Sequence, residues 1–173
     1  MNEVTKTLCE RRSIRKFKGD QVPMETLEEI LKCGTYAPNG KSKQSARIVV
    51  VRDRDTIEAI AKVNGSFVNK PGLNPFYEAP TLLIVFADKN VATYVQDGSA
   101  VIMNMLNAAF SLGVDSCWIH RAKETFETDF GKKLMQKWGL DENYEGIGNI
   151  VLGYRDCPLP PAAPRKENYI IFD

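Results

Sequence analysis

The chain has 173 residues, 43% of them hydrophobic, and 23 Lys and Arg stand against 22 Asp and Glu for a formal charge of +1. That length suits one ordinary domain that buries its own core, and the balanced charge excludes a global field that would draw the protein to nucleic acid or to a membrane surface. Four cysteines, Cys9, Cys33, Cys117 and Cys157, form no CxxC pair, and with His120 as the one histidine a zinc site of ordinary spacing is excluded.

Reduced, buried thiols in a cytoplasmic protein are the expectation. Met1 to Cys9 is polar and charged, unlike a secretory leader, so the protein is expected to stay where it is made. Asn2 is placed to cap a first helix running to Glu10, with Val4 and Leu8 facing inward. Cys9 to Phe17 then reads Cys-Glu-Arg-Arg-Ser-Ile-Arg-Lys-Phe, which crowds Arg11, Arg12 and Arg15 into five positions around Ser13, with Ile14 and Phe17 as apolar anchors. Guanidinium forks match phosphate in paired hydrogen bonds. Two readings stand at this point, an anion site and a solvated basic turn.

Pro23, the acidic Glu25 and Glu28, and Leu27, Ile30 and Leu31 at helical spacing predict a second helix ending near Gly34. Ala37-Pro38-Asn39-Gly40 is turn chemistry, in which glycine lets backbone approach a ligand closely. Ala46 to Arg52 reads as a buried strand and Asp53 to Val63 as a helix. Between Asn64 and Pro80, Gly65, Pro71-Gly72 and Pro75 interrupt a long loop around Phe67, Phe76 and Tyr77, and a loop of that length is expected to be functional.

Thr81 to Ala87 is a continuous apolar strand. Asp97 to Leu112 reads as the central helix, apolar nearly all round; the uncharged run Gly98 to Val114 is slightly short for a membrane span and carries Ser99, Asn104, Asn107 and Ser111. A strand from Val114 to His120, a helix from Glu124 to Trp138 and a strand from Gly146 to Tyr154 follow. Pro158, Pro160, Pro161 and Pro164 forbid helix, so the tail is expected to run extended until Tyr169 to Phe172 packs as a last strand.

Familiar nucleotide motifs fail on context. Gly40-Lys41-Ser42 follows a helix where a phosphate loop needs a strand, and Gly146-Ile147-Gly148 enters a strand where a dinucleotide fingerprint opens a helix. One histidine cannot serve a nucleophile convincingly, so covalent hydrolysis is excluded and any chemistry belongs to a cofactor. A nucleic-acid arm at Arg11 to Lys18 is disfavoured by the near-neutral charge. His120, beside Trp118 and Arg121 at a strand end, reads equally as ligand-loop residue or exposed imidazole.

Taken together, Arg11-Arg12-Ser13-Ile14-Arg15, Tyr36-Ala37-Pro38 with Gln44, Asn74-Pro75-Phe76-Tyr77 before Ala79-Pro80, Asp97-Gly98, Gly113, Cys117-Trp118-Ile119-His120, Gly153-Tyr154 and Pro164-Arg165-Lys166 resemble, in order and spacing, the short members of the FMN-dependent nitroreductase family. The resemblance implies an α+β fold, a central mixed sheet flanked by helices, in one domain spanning 1–173. It also implies a homodimer in which residues 158–173 wrap the partner and two FMN sites form at the interface.

By matched position, Arg11, Ser13 and Arg15 would hold the phosphate and the flavin edge, joined by Arg165, while Arg12 would act chiefly through its backbone. The partner's Pro38, the partner's Asn39 and the partner's Gly40 would cover the dimethylbenzene side, Asn74 would bond the pyrimidine edge, and backbone at Ile119 and His120 would approach N5. The implied activity passes a hydride from NADH or NADPH through flavin N5 to a nitroaromatic, a quinone or a related small acceptor, the two substrates taking turns. The alternative within the same fold is a flavin-binding or flavin-processing protein with little such turnover. Ser42, Ser45 and Ala46 replace the Asn, Pro and Trp of many relatives, with Gln44 retained, so the pocket is expected to differ in shape there; Ala163 stands where some relatives place a second cation, so phosphate affinity is expected to rest more on Arg11 and Arg15.

Overall fold

The computed structural model describes residues 1–70 and 72–173; Pro71, one of the interruptions of the long loop, lies outside them. Six helices and four strands follow one another as α1 (Glu3–Glu10), α2 (Met24–Thr35), β1 (Ala46–Val51), α3 (Arg54–Ser66), β2 (Thr81–Asp88), α4 (Tyr94–Ser111), β3 (Asp115–Ile119), α5 (Ala122–Glu127), α6 (Asp129–Lys137) and β4 (Tyr144–Gly153). The sheet order is β1-β2-β4-β3.

Every pairing between these strands is antiparallel, which corrects the expected mixed sheet; among the described residues parallel pairing appears only as an isolated bridge between Ser13 and Ser116. β2 is buried from Thr81 to Ala87 because helices cover both faces of the sheet. On one face α2 and α4 bring Leu27, Ile30, Ile102, Met105 and Leu106 against Leu83, Val85, Ile150 and Leu152. On the other, α3, α5 and α6 bring Ile57, Ile60, Phe126 and Met135 against Leu82, Ile84, Phe86 and Val151. The alternation of a strand's side chains thus feeds two separate cores.

The helix expected from Glu124 to Trp138 is two helices. Thr128 sits extended between them, and its hydroxyl accepts a hydrogen bond from the Gly131 N–H at 3.1 Å, capping α6. Gly131 lies where any Cβ would collide with the backbone of Thr125 and Phe126, so the tight junction requires glycine. Phe76, read as part of a functional loop, is instead fully buried in the second core.

Two further expectations change for a common reason. Val4 and Leu8 do not face inward, since no residue of α1 is buried, and Tyr169 to Phe172 form no strand and are exposed. Both faces of the sheet are already occupied, so α1 and the tail find no apolar surface in their own chain. Nor are all thiols buried: Cys9 is exposed and only Cys117 is fully enclosed. The Asn2 cap forms as expected, accepting from the Thr5 N–H at 2.9 Å.

Phe86, Phe126 and Trp138 form an aromatic cluster, with Phe86 and Phe126 centroids 4.8 Å apart in an edge-on arrangement. Phe86→Ala removes the centre of this cluster and is expected to destabilise the protein by about 3–5 kcal/mol, read from urea unfolding. A loss below about 1 kcal/mol would contradict the packing described.

Candidate functional site

The basic segment owes its place to its apolar members. Ile14 is fully buried and its N–H donates to the Ser116 carbonyl at 3.0 Å, while Ser13 bridges to the same strand, β3, which is an edge of the sheet. Downstream, Lys18 N–H donates to Tyr154 O at 2.8 Å and Phe17 bridges to Arg155, just past β4. Arg155 is in turn held by the buried Asp115, through an ion pair at 2.8 Å and its own N–H at 3.1 Å. Residues 13–18 therefore lie on fixed backbone along the sheet edge.

On that backbone the side chains of Arg11, Ser13 and Arg15 gather about Cys117 on β3. Burial pushes the Cys117 thiol up, and Arg15, a hydrogen bond with Ser13, and Arg11 pull in the opposite direction. Arg11 is itself half-buried, and burial lowers its pKa, with Arg12 adding to the same direction. Its Nε and that of Arg12 are enclosed without a hydrogen-bond partner. Arg12 turns its Nη1 back onto the carbonyls of Cys9 and Arg11, both at 2.7 Å, so part of its guanidinium is spent on its own backbone.

Among the described residues no carboxylate forms an ion pair with Arg11, Arg12 or Arg15. Burying cationic groups without a counter-charge is costly, and the chemistry that satisfies such a donor set is an anion with several oxygens, as in a phosphate dianion. The residues present fit that group.

Ile119 ends β3 and is buried, whereas His120 is exposed. The His120 carbonyl turns inward, accepting from Asn64 Nδ2 at 3.0 Å and Asn149 Nδ2 at 3.4 Å, and Asn64 also donates to Thr125 Oγ1 at 3.1 Å. Thr125 Oγ1 donates to Arg121 O at 2.6 Å, fixing Arg121 in a left-handed conformation at φ 71°. The strand end that was expected to meet the ligand through its backbone is therefore locked from below by two fully buried asparagines.

The turn at Pro38 to Gly40 continues into a strained loop, with Lys41, Ser42 and Gln44 at φ 53°, 55° and 47°. Each non-glycine residue in that region costs on the order of 1 kcal/mol or more, so the surroundings must enforce it. Asn39 Oδ1 accepts from the Gln44 N–H at 2.9 Å, and Asp97 near the start of α4 accepts from Gly40 N–H at 3.0 Å and from Ser45 Oγ at 2.8 Å. Together with Leu31, Ile48 and Val101 the loop lines a cavity of about 390 Å³.

Not every expected residue joins the cluster within one chain. Arg165 lies on the exposed tail and folds onto its neighbour, with Nη2 2.6 Å from Ala163 O. Asn74 spends its Oδ1 on the Phe76 N–H at 2.9 Å and lines a different cleft, with Arg54, Glu58 and Lys62. Sequence reading missed the roles of Asn64, Asn149 and Asp97. Only Asp97 left a signal, as a lone charge at the mouth of an otherwise uncharged helix.

A helix-covered antiparallel sheet with a basic segment pinned to its edge defines an α+β protein. The Nitroreductase family model matches residues 8–154, and the chain belongs to that family. A protein of Archaeoglobus fulgidus provisionally named as an NADH dehydrogenase/NAD(P)H nitroreductase is 33% identical over 161 residues, covering 89% of this chain and 86% of that protein. A nitroreductase of Bacteroides fragilis, solved with bound FMN, superposes with a TM-score of 0.89 at 28% identity, both chains covered completely. An FMN-dependent nitroreductase of Clostridium difficile gives 0.88 at 26%, with 99% of each chain covered. The fold is the nitroreductase fold.

Asn64→Ala removes the shorter of the two hydrogen bonds to the His120 carbonyl together with the bond to Thr125 Oγ1, leaving only Asn149 Nδ2 at 3.4 Å. It is expected to cost about 1–3 kcal/mol of stability and to speed amide hydrogen exchange at residues 119–121. Unchanged exchange there would show that the asparagine does not hold the turn.

Proposed function

We propose that this chain is an FMN-dependent oxidoreductase of the nitroreductase type, drawing electrons from NADH or NADPH and passing them to a small acceptor such as a nitroaromatic or a quinone. The observation that carries this reading is the cluster of Arg11, Arg12 and Arg15, pinned to the edge of β3 with no carboxylate paired to it among the described residues. Family membership supports it, as do relatives described as NAD(P)H nitroreductases or FMN reductases and neighbours solved with FMN.

Arg11, Ser13 and Arg15 hold the phosphate in this reading, and Arg12 contributes through backbone because its side chain is engaged elsewhere. When bound, FMN supplies a redox centre that accepts two electrons together and gives them up again. The chain's own part is to bind, orient and shield. Cations beside the ring's pyrimidine end would favour negative charge there, and the locked backbone at Ile119 and His120 would meet the N5 side, leaving a ring face to receive donor and acceptor in turn. Asn74, matched to the pyrimidine edge by resemblance, would have to reach it from its own cleft through Nδ2, because its Oδ1 is engaged by the Phe76 N–H.

The site is completed by a second copy of the chain. α1 exposes Val4 and Leu8, and the tail exposes Tyr169, Ile170, Ile171 and Phe172, which is more apolar surface than an isolated chain keeps in water. In a homodimer residues 158–173 wrap the partner, bring Arg165 to the phosphate and place Pro38, Asn39 and Gly40 over the ring of the partner's flavin. The 173 residues act as one domain, and the site of action is the cytoplasm.

Three measurements test the reading. Protein stripped of flavin is expected to bind FMN and turn yellow, and to run at twice the mass of one chain; a colourless monomer after incubation with FMN contradicts it. The loaded protein is expected to oxidise NADH or NADPH with a quinone or nitro acceptor, and no turnover across such a panel overturns the enzymatic part. Arg15→Ala is expected to weaken FMN by about 1.5–3 kcal/mol through the lost charged contact, and unchanged affinity removes the phosphate assignment.

A further inference from the structure

The loop from Asn39 to Ser45 is held in an unfavourable shape by a residue that lies outside it. Asp97 is 4% exposed, yet its carboxylate reaches both ends of the loop, accepting from Gly40 N–H with Oδ1 and from Ser45 Oγ with Oδ2. Thr93, one turn earlier, adds a third donor and packs directly on Gly40 where no Cβ would fit. Three left-handed residues, Lys41, Ser42 and Gln44, lie between the two anchored points.

A buried carboxylate persists only where its donors repay desolvation. Here burial pushes Asp97 up, but the Gly40, Ser45 and Thr93 donors outweigh it and hold the carboxyl below the usual range, so the group is charged when the loop is in place. Its position in the first turn of α4 adds the favourable field of a helix N-terminus. The loop has few other restraints: Gln44 N–H to Asn39 Oδ1, Lys43 N–H to Gly40 O and Asp88 N–H to Ser45 O.

We infer that Asp97 is a positioning residue for flavin binding, acting across the subunit boundary by holding the Pro38 to Gly40 turn in the shape that covers the ring bound to the other protomer. The inference rests on the FMN reading above. It separates two halves of one site: Arg15 acts on the phosphate of its own protomer's flavin, whereas Asp97 acts on the ring of the neighbour's. Loss of Asp97 therefore weakens all flavins alike, whether or not they carry a phosphate.

The test measures dissociation constants for FMN and riboflavin with wild-type, Asp97→Ala and Asp97→Asn protein. Asp97→Ala is expected to weaken both flavins by about tenfold, leaving the ratio of their affinities unchanged. Asp97→Asn is expected to restore most of the loss, because its amide accepts from Gly40 N–H and donates to Ser45 Oγ. The deciding measurement is a mixed dimer of Asp97→Ala and Arg15→Ala chains.

In that dimer one site combines an intact Arg15 with an intact partner loop, so half of the flavin is expected to bind with wild-type affinity. Two weakened sites would overturn the inference, because they would place the action of Asp97 within its own subunit. Equal affinity of wild type and Asp97→Ala for both flavins would also overturn it. If Asp97→Ala fails to fold, Ser45→Ala takes its place in the same mixed dimer, with an expected loss of about threefold at the site its loop covers, and two weakened sites again refute the inference. Wild-type protein that binds neither flavin would instead defeat the underlying FMN reading.

Discussion

The burial of Ile14 against β3 is the constraint on which the rest depends. It holds three arginines beside a sheet edge by burying one apolar side chain and making one backbone hydrogen bond to Ser116. Without that anchor the arginines would spread into water, where single surface charges contribute little. With it, Arg11 and Arg12 are partly enclosed, and among the described residues no carboxylate pairs with them, which is the feature that the proposed phosphate site rests on. The Asp115 to Arg155 pair closes the same corner from the other side, tying the exit of β4 to the start of β3.

The molecule divides its work between rigid and borrowed parts. The sheet and its two cores fix the basic segment and the strand end at Ile119, where Asn64, Asn149 and Thr125 leave the following turn little freedom. The remaining pieces, Arg165 on the tail and the turn at Pro38 to Gly40, do not reach the cluster within one chain. The exposed apolar tail and the exposed apolar face on α1 support the proposal that a second copy finishes the site.

Much of this was readable from residue patterns because it rests on local rules. The apolar run at Thr81 to Ala87, the periodicity of Leu27 and Ile30, and the uncharged helix after Asp97 each match an element that the structure contains. The misreadings have physical causes. Periodicity could not see that Thr128 caps a new helix, since a threonine N-cap interrupts the backbone without breaking the apolar pattern. Val4, Leu8 and Tyr169 to Phe172 look like core residues, and no single-chain argument reveals that both faces of the sheet are already filled. The arginine cluster was legible as a group of charges, but its function depended on the absence of partners, which only the folded geometry exposes. Asn64 and Asn149 were invisible as site residues, and Asp97 showed only as a lone charge, because their roles come from long-range hydrogen bonds.

The central claim is that the segment from Arg11 to Arg15 is the phosphate end of a flavin site shared between two chains. A crystal structure of the protein grown with FMN tests it most directly. The account predicts phosphate oxygens within hydrogen-bond distance of Arg11, Ser13 and Arg15, Arg165 from the tail completing the shell, and the ring running toward Ile119 and His120. FMN bound with its phosphate elsewhere, such as the cleft lined by Lys89, Lys123 and Lys132 together with Glu127, Asp141, Glu142 and Glu145, would contradict it.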